Sequence, residues 1–156
     1  PMTTYLVRHA SAGSRDDCDP HDADRTLDES GRFQAEKLAG WLRHEPIDRI
    51  LTSPYRRCIE SVEPLAAELG VRIECVDALC EGTGIDSSWE LLECVAATTT
   101  VLCSHGDVIP DLIRRAQGRG MLVPGKSGCA KGSVWTLQHW DRTTFATGIY
   151  TPVPGT

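Results

Sequence analysis

Three short stretches carry basic and imidazole side chains in positions suited to chemistry on an anion: Arg8-His9, Ser53-Pro54-Tyr55-Arg56-Arg57 and Ser104-His105-Gly106. Each follows a stretch that reads as a strand, namely Tyr5-Leu6-Val7, Ile47–Leu51 and Thr99–Cys103. An imidazole beside a fixed cation suits a phosphoryl group, because the cation draws in the oxygens while the neutral ring nitrogen attacks phosphorus. Arginine adds fork-shaped, bidentate contacts to phosphate oxygens. From two strand ends, Arg8 and Arg57 would hold equatorial oxygens while His9 attacks in line. The small residues Ala10-Ser11-Ala12-Gly13 let backbone approach a ligand closely. Arg8-His9 alone reads equally well as a strand end with a solvated arginine and a packed histidine, so the other two stretches carry the weight.

Bringing these side chains together requires parallel strands whose carboxyl ends share one edge. The chain alternates strand and helix signals in that way. Strands are expected at Leu6-Val7, Ile47–Leu51, Val71–Val76, Thr99–Cys103, Ser133–Gln138 and, at an edge, Phe145–Tyr150. Asp28 is a plausible N-cap for a helix whose apolar positions Ala35, Leu38, Ala39 and Leu42 repeat at helical spacing. Glu45-Pro46 stops it. A second helix buries Ile59, Val62, Leu65, Ala66 and Leu69 and closes at Gly70, with Pro64 expected to bend it or remove a hydrogen bond. Further helices are expected over Ser88–Ala97 and Ile109–Gln117. The stretch 16–25, with one proline and five aspartates, is too charged for core. The Pro- and Gly-containing tail reads as frayed. The fold class expected is α/β, a mainly parallel central sheet with helices on both faces.

The 156 residues suit one domain with its own core, and 40% hydrophobic and 24% charged content is ordinary for a globular chain. A formal charge of −6 argues against nucleic acid polymers or membrane surfaces as partners, so an anionic ligand must be captured by a local basic cluster. The seven cysteines form an odd set without a C-x-x-C pair or zinc-ligand spacing, which points to reduced thiols in the cytoplasm and no metal. Neither a membrane span nor a signal peptide is expected, and Pro1 ahead of Met2 reads as a cloning remnant.

Taken together, Leu6-Val7-Arg8-His9-Ala10, Thr52 to Cys58, Ser104-His105-Gly106 and the Leu27–Ala35 segment resemble the histidine phosphatase (phosphoglycerate-mutase-like) superfamily, in the family's order and over nearly the whole chain. The Arg-His-Ala start and the brevity resemble its short phosphohistidine-phosphatase branch. Arg57-Cys58 to Gly70, Val108–Ile113 and Lys131-Gly132-Ser133 resemble the phosphatase domain fused to MutT-like Nudix hydrolases, though no Nudix box is present. The resemblance implies one phosphatase domain spanning 1–156 with a minimal cap and no cofactor. It implies that His9 is the transiently phosphorylated nucleophile and that Arg8, Arg57 and His105 bind the phosphoryl oxygens, with Arg56 a neighbour or solvated. Glu81 fits best as the acid that protonates the leaving group and later activates water. Asp77 and Asp86 are weaker candidates, and Glu81 also reads as a surface carboxylate.

Two departures from the family bear on the site: Ala10 replaces the commoner glycine, and Glu60-Ser61 stands where Gln-Thr is frequent. Only 47 residues separate Arg57 from His105, which leaves little room for a cap and favours net hydrolysis over transfer. The substrate expected is a phosphohistidine protein, with a small phosphoester such as a nucleotide as alternative; a silent phosphate-binding module is a third reading. Oligomeric state is not legible.

Gly120 to Ser127 matches a phosphate-binding P-loop formally, but a helix precedes it, more loop follows, and Pro124 lacks an N–H for the cradle. The basic loop 118–132 still offers Lys126 and Lys131, with Arg119, as contacts for a second phosphate or an acidic partner, or as a solvated turn. Cys103 reads as a small buried hydrophobe. His21, His44 and His139 lack metal spacing, and Trp41, Trp89, Trp135 and Trp140 read as core.

Overall fold

The computed structural model describes residues 2–16 and 18–155. Pro1, Asp17 of the acidic loop and Thr156 lie outside the described residues. Six strands form one sheet: β1 (Thr3–Arg8), β2 (Arg49–Thr52), β3 (Ile73–Cys75), β4 (Thr100–Ser104), β5 (Val134–Trp140) and β6 (Phe145–Thr151). Their spatial order is β3-β2-β4-β1-β5-β6. The first four run parallel, while β5 and β6 are antiparallel additions. Four α-helices join them: α1 (Glu29–Leu42), α2 (Arg56–Leu69), α3 (Ile85–Val95) and α4 (Val108–Gly118).

Side chains alternate across each central strand, and the two sets reach separate cores. Tyr5, Val7, Ile50, Val101, Cys103 and Val134 pack under α1 and α2 with Leu38, Leu42, Val62 and Leu65. Leu6, Leu51, Leu102, Trp135 and Leu137 pack under α3 and α4 with Trp89, Leu92, Ile109 and Leu112. The mainly parallel sheet with helices on both faces is therefore observed. Both faces being covered explains why β1 and β4 read as continuous buried runs rather than alternating ones.

Several boundaries differ from the sequence expectation. The third strand shrinks from Val71–Val76 to Ile73–Cys75, an edge position with one parallel neighbour. Helix α3 begins at Ile85, three residues before the expected Ser88, because Gly84 turns the chain at φ 94° and Ser88 faces inward to donate to the Ala78 carbonyl. Helix α2 continues through Pro64, and Gly70 ends it in the left-handed conformation. The tail is not frayed: Pro154 is buried, and a Cβ on Gly155 would lie 3.2 Å from the Lys37 side chain on α1. Trp41 is not core; it is 40% exposed, edge-on to Tyr5 at 6.4 Å. Residues 120–127 form neither strand nor helix, so the formal P-loop match has no P-loop structure. No helix among the described residues is long and apolar enough to cross a membrane.

Candidate active site

Strands β1, β2 and β4 are adjacent and parallel, so the residues at their carboxyl ends meet at one edge. There the His9 N–H donates to the Ser104 carbonyl at 3.0 Å, and the Ser53 N–H donates to Cys103 at 3.0 Å. A cleft of about 580 Å³ opens at this edge, lined by Arg8, His9, Arg57, Glu81 and His105, with Arg15, Arg25, Gly82, Gly106, Asp107 and Lys131 around them.

His9 is 5% exposed, and its Nδ1 lies 2.8 Å from the Ala10 carbonyl oxygen. A carbonyl only accepts, so Nδ1 carries the ring proton and Nε2 keeps its lone pair. Burial pushes the imidazole down to about 4; the carbonyl bond opposes this, and the charges of Arg57, Arg8 and Lys131 reinforce it. The ring is therefore neutral and nucleophilic near pH 7. His105 crosses it edge-on with centroids 5.4 Å apart. Its Nε2 lies 2.9 Å from the Ser53 hydroxyl, which itself accepts the Tyr55 N–H. With that hydroxyl donating to Nε2, the ring proton sits on Nδ1, 3.8 Å from a Glu81 oxygen. Burial and then the charges of His9, Arg57 and Arg8 hold His105 down to about 3.

The two inner arginines are fixed from behind. Arg8 donates from Nη1 to the Cys129 carbonyl at 2.6 Å. Arg57, 1% exposed, donates to the Asp22 carbonyl at 3.0 Å and pairs with the Asp22 and Glu81 carboxylates at 3.2 and 3.3 Å. Its guanidinium also covers the Tyr55 ring at 4.9 Å. Five buried side-chain polar atoms among the described residues have no hydrogen-bond partner, and three of them are Arg8 Nε, Arg57 Nε and His105 Nδ1. Unmade bonds to such groups cost about 1–3 kcal/mol each, and all three lie on residues that line the cleft.

The loop after β1 is clamped by groups from both neighbouring helices. The Ala10 N–H donates to Ser61 Oγ at 2.8 Å, and that hydroxyl donates to the Arg57 carbonyl at 2.6 Å. Glu60 accepts the Leu27 N–H at 2.9 Å. Glu60 and Ser61, the departure from the family pattern, thus each bond a backbone N–H beside the site. Asp28 caps α1 through the Gly31 N–H and also accepts from Ser11 Oγ and the Gly13 N–H. These bonds, led by the one from Ser11, hold its carboxyl below the usual aspartate range. Gly31 is required by contact, since a Cβ there would sit 1.9 Å from the Ser11 carbonyl oxygen.

The structure brings Arg8, His9, Arg57, Glu81, His105 and Lys131 to one cleft. Lys126 is exposed in the loop and lies outside the lining, where the solvated-turn reading places it. The chain turns at Gly132, whose N–H bonds the Arg8 and His9 carbonyls, and this carries Lys131 alone to the rim. Asp77 and Asp86 do not line the cleft either. Arg56 is solvent-exposed, as one of its two readings had it. Cys103 is fully buried, and burial drives its thiol well above the ordinary range. Sequence reasoning missed Arg15, Arg25, Asp22 and Asp107. The first three sit in or beside a stretch set aside as solvated, and only the fold of that loop over the β-strand edge reveals them.

A model of the histidine phosphatase superfamily (branch 1) matches residues 4–98. A protein of Mycolicibacterium smegmatis named 8-oxo-(d)GTP phosphatase is 35% identical over 144 residues, which is 89% of this chain and 45% of that one. The chain therefore spans under half the length of that relative. Among solved structures, the protein histidine phosphatase SixA complexed with tungstate superposes with a TM-score of 0.75 at 18% identity, covering 97% of this chain and 95% of that one. A SixA from Agrobacterium tumefaciens described as a putative phosphohistidine phosphatase gives 0.72 at 22% identity, covering 97% and 99%. At those identities the two structures speak for the fold. The strand-end histidines, the matching family model and the shared architecture agree: the chain belongs to the histidine phosphatase superfamily, branch 1.

Proposed function

We propose that this chain is a phosphatase that works through a phosphohistidine formed on His9. The observation that carries the reading is the neutral His9 in one cleft with Arg8, Arg57 and His105, each of which has a buried nitrogen without a partner. A phosphoryl group would take up those donors as its charge develops. The His9 Nε2 lone pair attacks phosphorus while the bond to the leaving oxygen breaks, and that oxygen takes a proton from Glu81. Glu81 as carboxylate then draws a proton from water, whose oxygen attacks the phosphohistidine. The P–N bond breaks, inorganic phosphate departs and His9 returns neutral with Nδ1 still bonded to Ala10.

Glu81 within the cleft, 3.3 Å from Arg57, favours a small phosphoester as substrate. An oxygen leaving group needs an acid, whereas an imidazole leaving group needs little help. The 35% identical relative is named for a nucleotide substrate, which supports the same direction. A phosphorylated protein is the second reading. It is favoured by α3, whose Trp89 and Leu92 pack into the core rather than over the cleft, leaving the mouth uncovered by that segment. We further read residues 1–156 as one domain acting in the cytoplasm; the single six-stranded sheet and the seven free thiols support this.

Phosphate release from 4-nitrophenyl phosphate should fall at least about 10³-fold in His9→Ala. Equal turnover would remove His9 from its role. Glu81→Gln should lose far more rate on a nucleoside monophosphate than on phosphohistidine, and parallel losses would defeat the assignment of Glu81.

A further inference from the structure

The Glu81 carboxylate makes long contacts. Its oxygens lie 3.3 Å from Arg57, 3.3 and 3.4 Å from Arg15 and 3.8 Å from His105 Nδ1. A phosphoryl group entering the cleft competes for Arg57 and His105, so two of these contacts weaken as substrate binds. The place of the carboxyl then depends on the backbone that carries it. That backbone, residues 80–84, is the turn between Leu79 and α3. Gly82 and Gly84 take φ of 75° and 94°, and a Cβ on either would meet no described atom within 4 Å. Residues 82–84 are exposed, so packing does little to fix them.

Thr83 ties the turn to itself, donating to the Cys80 and Asp77 carbonyls at 2.6 and 3.1 Å. The Gly82 N–H, next to Glu81, instead donates across 25 residues of chain to Asp107 Oδ2 at 2.8 Å. This bond is charge-assisted and shorter than the contacts of Glu81 itself. Asp107 stands at the N-cap of α4, where an aspartate ordinarily bonds the first amides of its own helix. Asp28 does so at the start of α1, through Gly31. At Asp107 the backbone is helical, with φ −93° and ψ −37°, and the carboxylate turns to Gly82. The same short turn carries His105 and, through Gly106, lies against Arg8. Asp107 thus joins the loop of Glu81 to the turn beside the inner basic groups.

We propose that Asp107 is a positioning residue, whose bond to the Gly82 N–H holds Glu81 beside the leaving oxygen. This deepens the phosphatase reading and rests on Glu81 as its acid. A catalytic group misplaced by about 1 Å costs about 10²-fold in rate. Here the loss falls on substrates whose leaving oxygen needs the proton, and spares those that depart as stable anions.

The test measures kcat on phenyl phosphate, with a poor leaving group, and on 2,4-dinitrophenyl phosphate, with a good one. Asp107→Ala should lose at least about tenfold more on the phenyl ester than on the dinitrophenyl ester. Asp107→Asn removes the charge but keeps an oxygen for the Gly82 N–H, and should recover most of that difference. Added to Glu81→Gln, Asp107→Ala should cost under about threefold more on the phenyl ester, because both changes act through one carboxyl. Equal losses on the two esters, an Asn variant as poor as the Ala variant, or full additivity with Glu81→Gln would each overturn the tether while leaving Glu81 as the acid. Equal losses on the two esters in Glu81→Gln itself would remove the acid and the tether together, with the role of His9 untouched.

Discussion

Each side chain in the cleft is set by a contact that a substitution can isolate. Gly106 gives the cleanest case. A Cβ there would lie 2.8 Å from the Arg8 Cζ and Nη2 atoms. The clash falls on the far end of a long side chain, so the fold should survive and the arginine should move. Gly106→Ala is therefore expected to keep its unfolding midpoint within about 1 kcal/mol while kcat/KM on an aryl phosphate falls tenfold or more. A steady-state assay beside a urea titration checks this; a stability loss without a kinetic one would refute it. At this scale the sequence was most legible where motif and chemistry coincide. Arg8, His9, Arg57 and His105 stand together as their types and strand-end positions implied. Arg15 and Arg25 were not legible, because a charged loop gives no sign of which face it turns toward.

The elements act as clamps on the loop that carries His9. Helix α1 reaches that loop through Asp28 and the bare backbone of Gly31, while α2 reaches it through Ser61. Asp28 was legible as a cap from its position ahead of an apolar repeat. Its second task, bonding Ser11 and Gly13, was not, since those partners are set by how close the helix approaches. Two glycines of the same helix separate these effects. Gly31→Ala must push back the Ser11 carbonyl and should cost about 1–3 kcal/mol together with activity. Gly40→Ala meets nothing within 4 Å and should stabilise the helix by about 0.5–1 kcal/mol with activity unchanged. Thermal unfolding of the two variants checks the pair, and a neutral Gly31→Ala would contradict the clamp. Helix α3 shows the opposite limit. Its start moved because Gly84 and the inward hydrogen bond of Ser88 decide the first turn, and neither is a periodic signal.

For the molecule as a whole, burying two neutral imidazoles ties stability to pH. Burial lowers His9 from 6.5 to about 4 and His105 from 6.5 to about 3. Between those values and 6.5 the unfolded chain binds protons that the folded chain refuses, so stability rises with pH across that window. The contribution is complete above pH 6.5 and drains away as pH falls toward about 4. The urea midpoint of the wild type should therefore drop between pH 7 and 5, and His9→Asn should flatten part of that slope. A level wild-type profile would contradict the buried neutral pair. The sequence by itself determined the order of elements, the sheet with helices on both faces and the four residues that meet in the cleft. Hydrophobic period and strand-end position are local properties, and a parallel sheet gathers its carboxyl ends whatever the loops do. Only the tertiary structure decided which cations border the cleft, that Lys131 turns in while Lys126 stays out, and that the tail packs on α1. Those outcomes depend on how loops without a periodic pattern fold back over the sheet, through contacts between residues far apart in the chain.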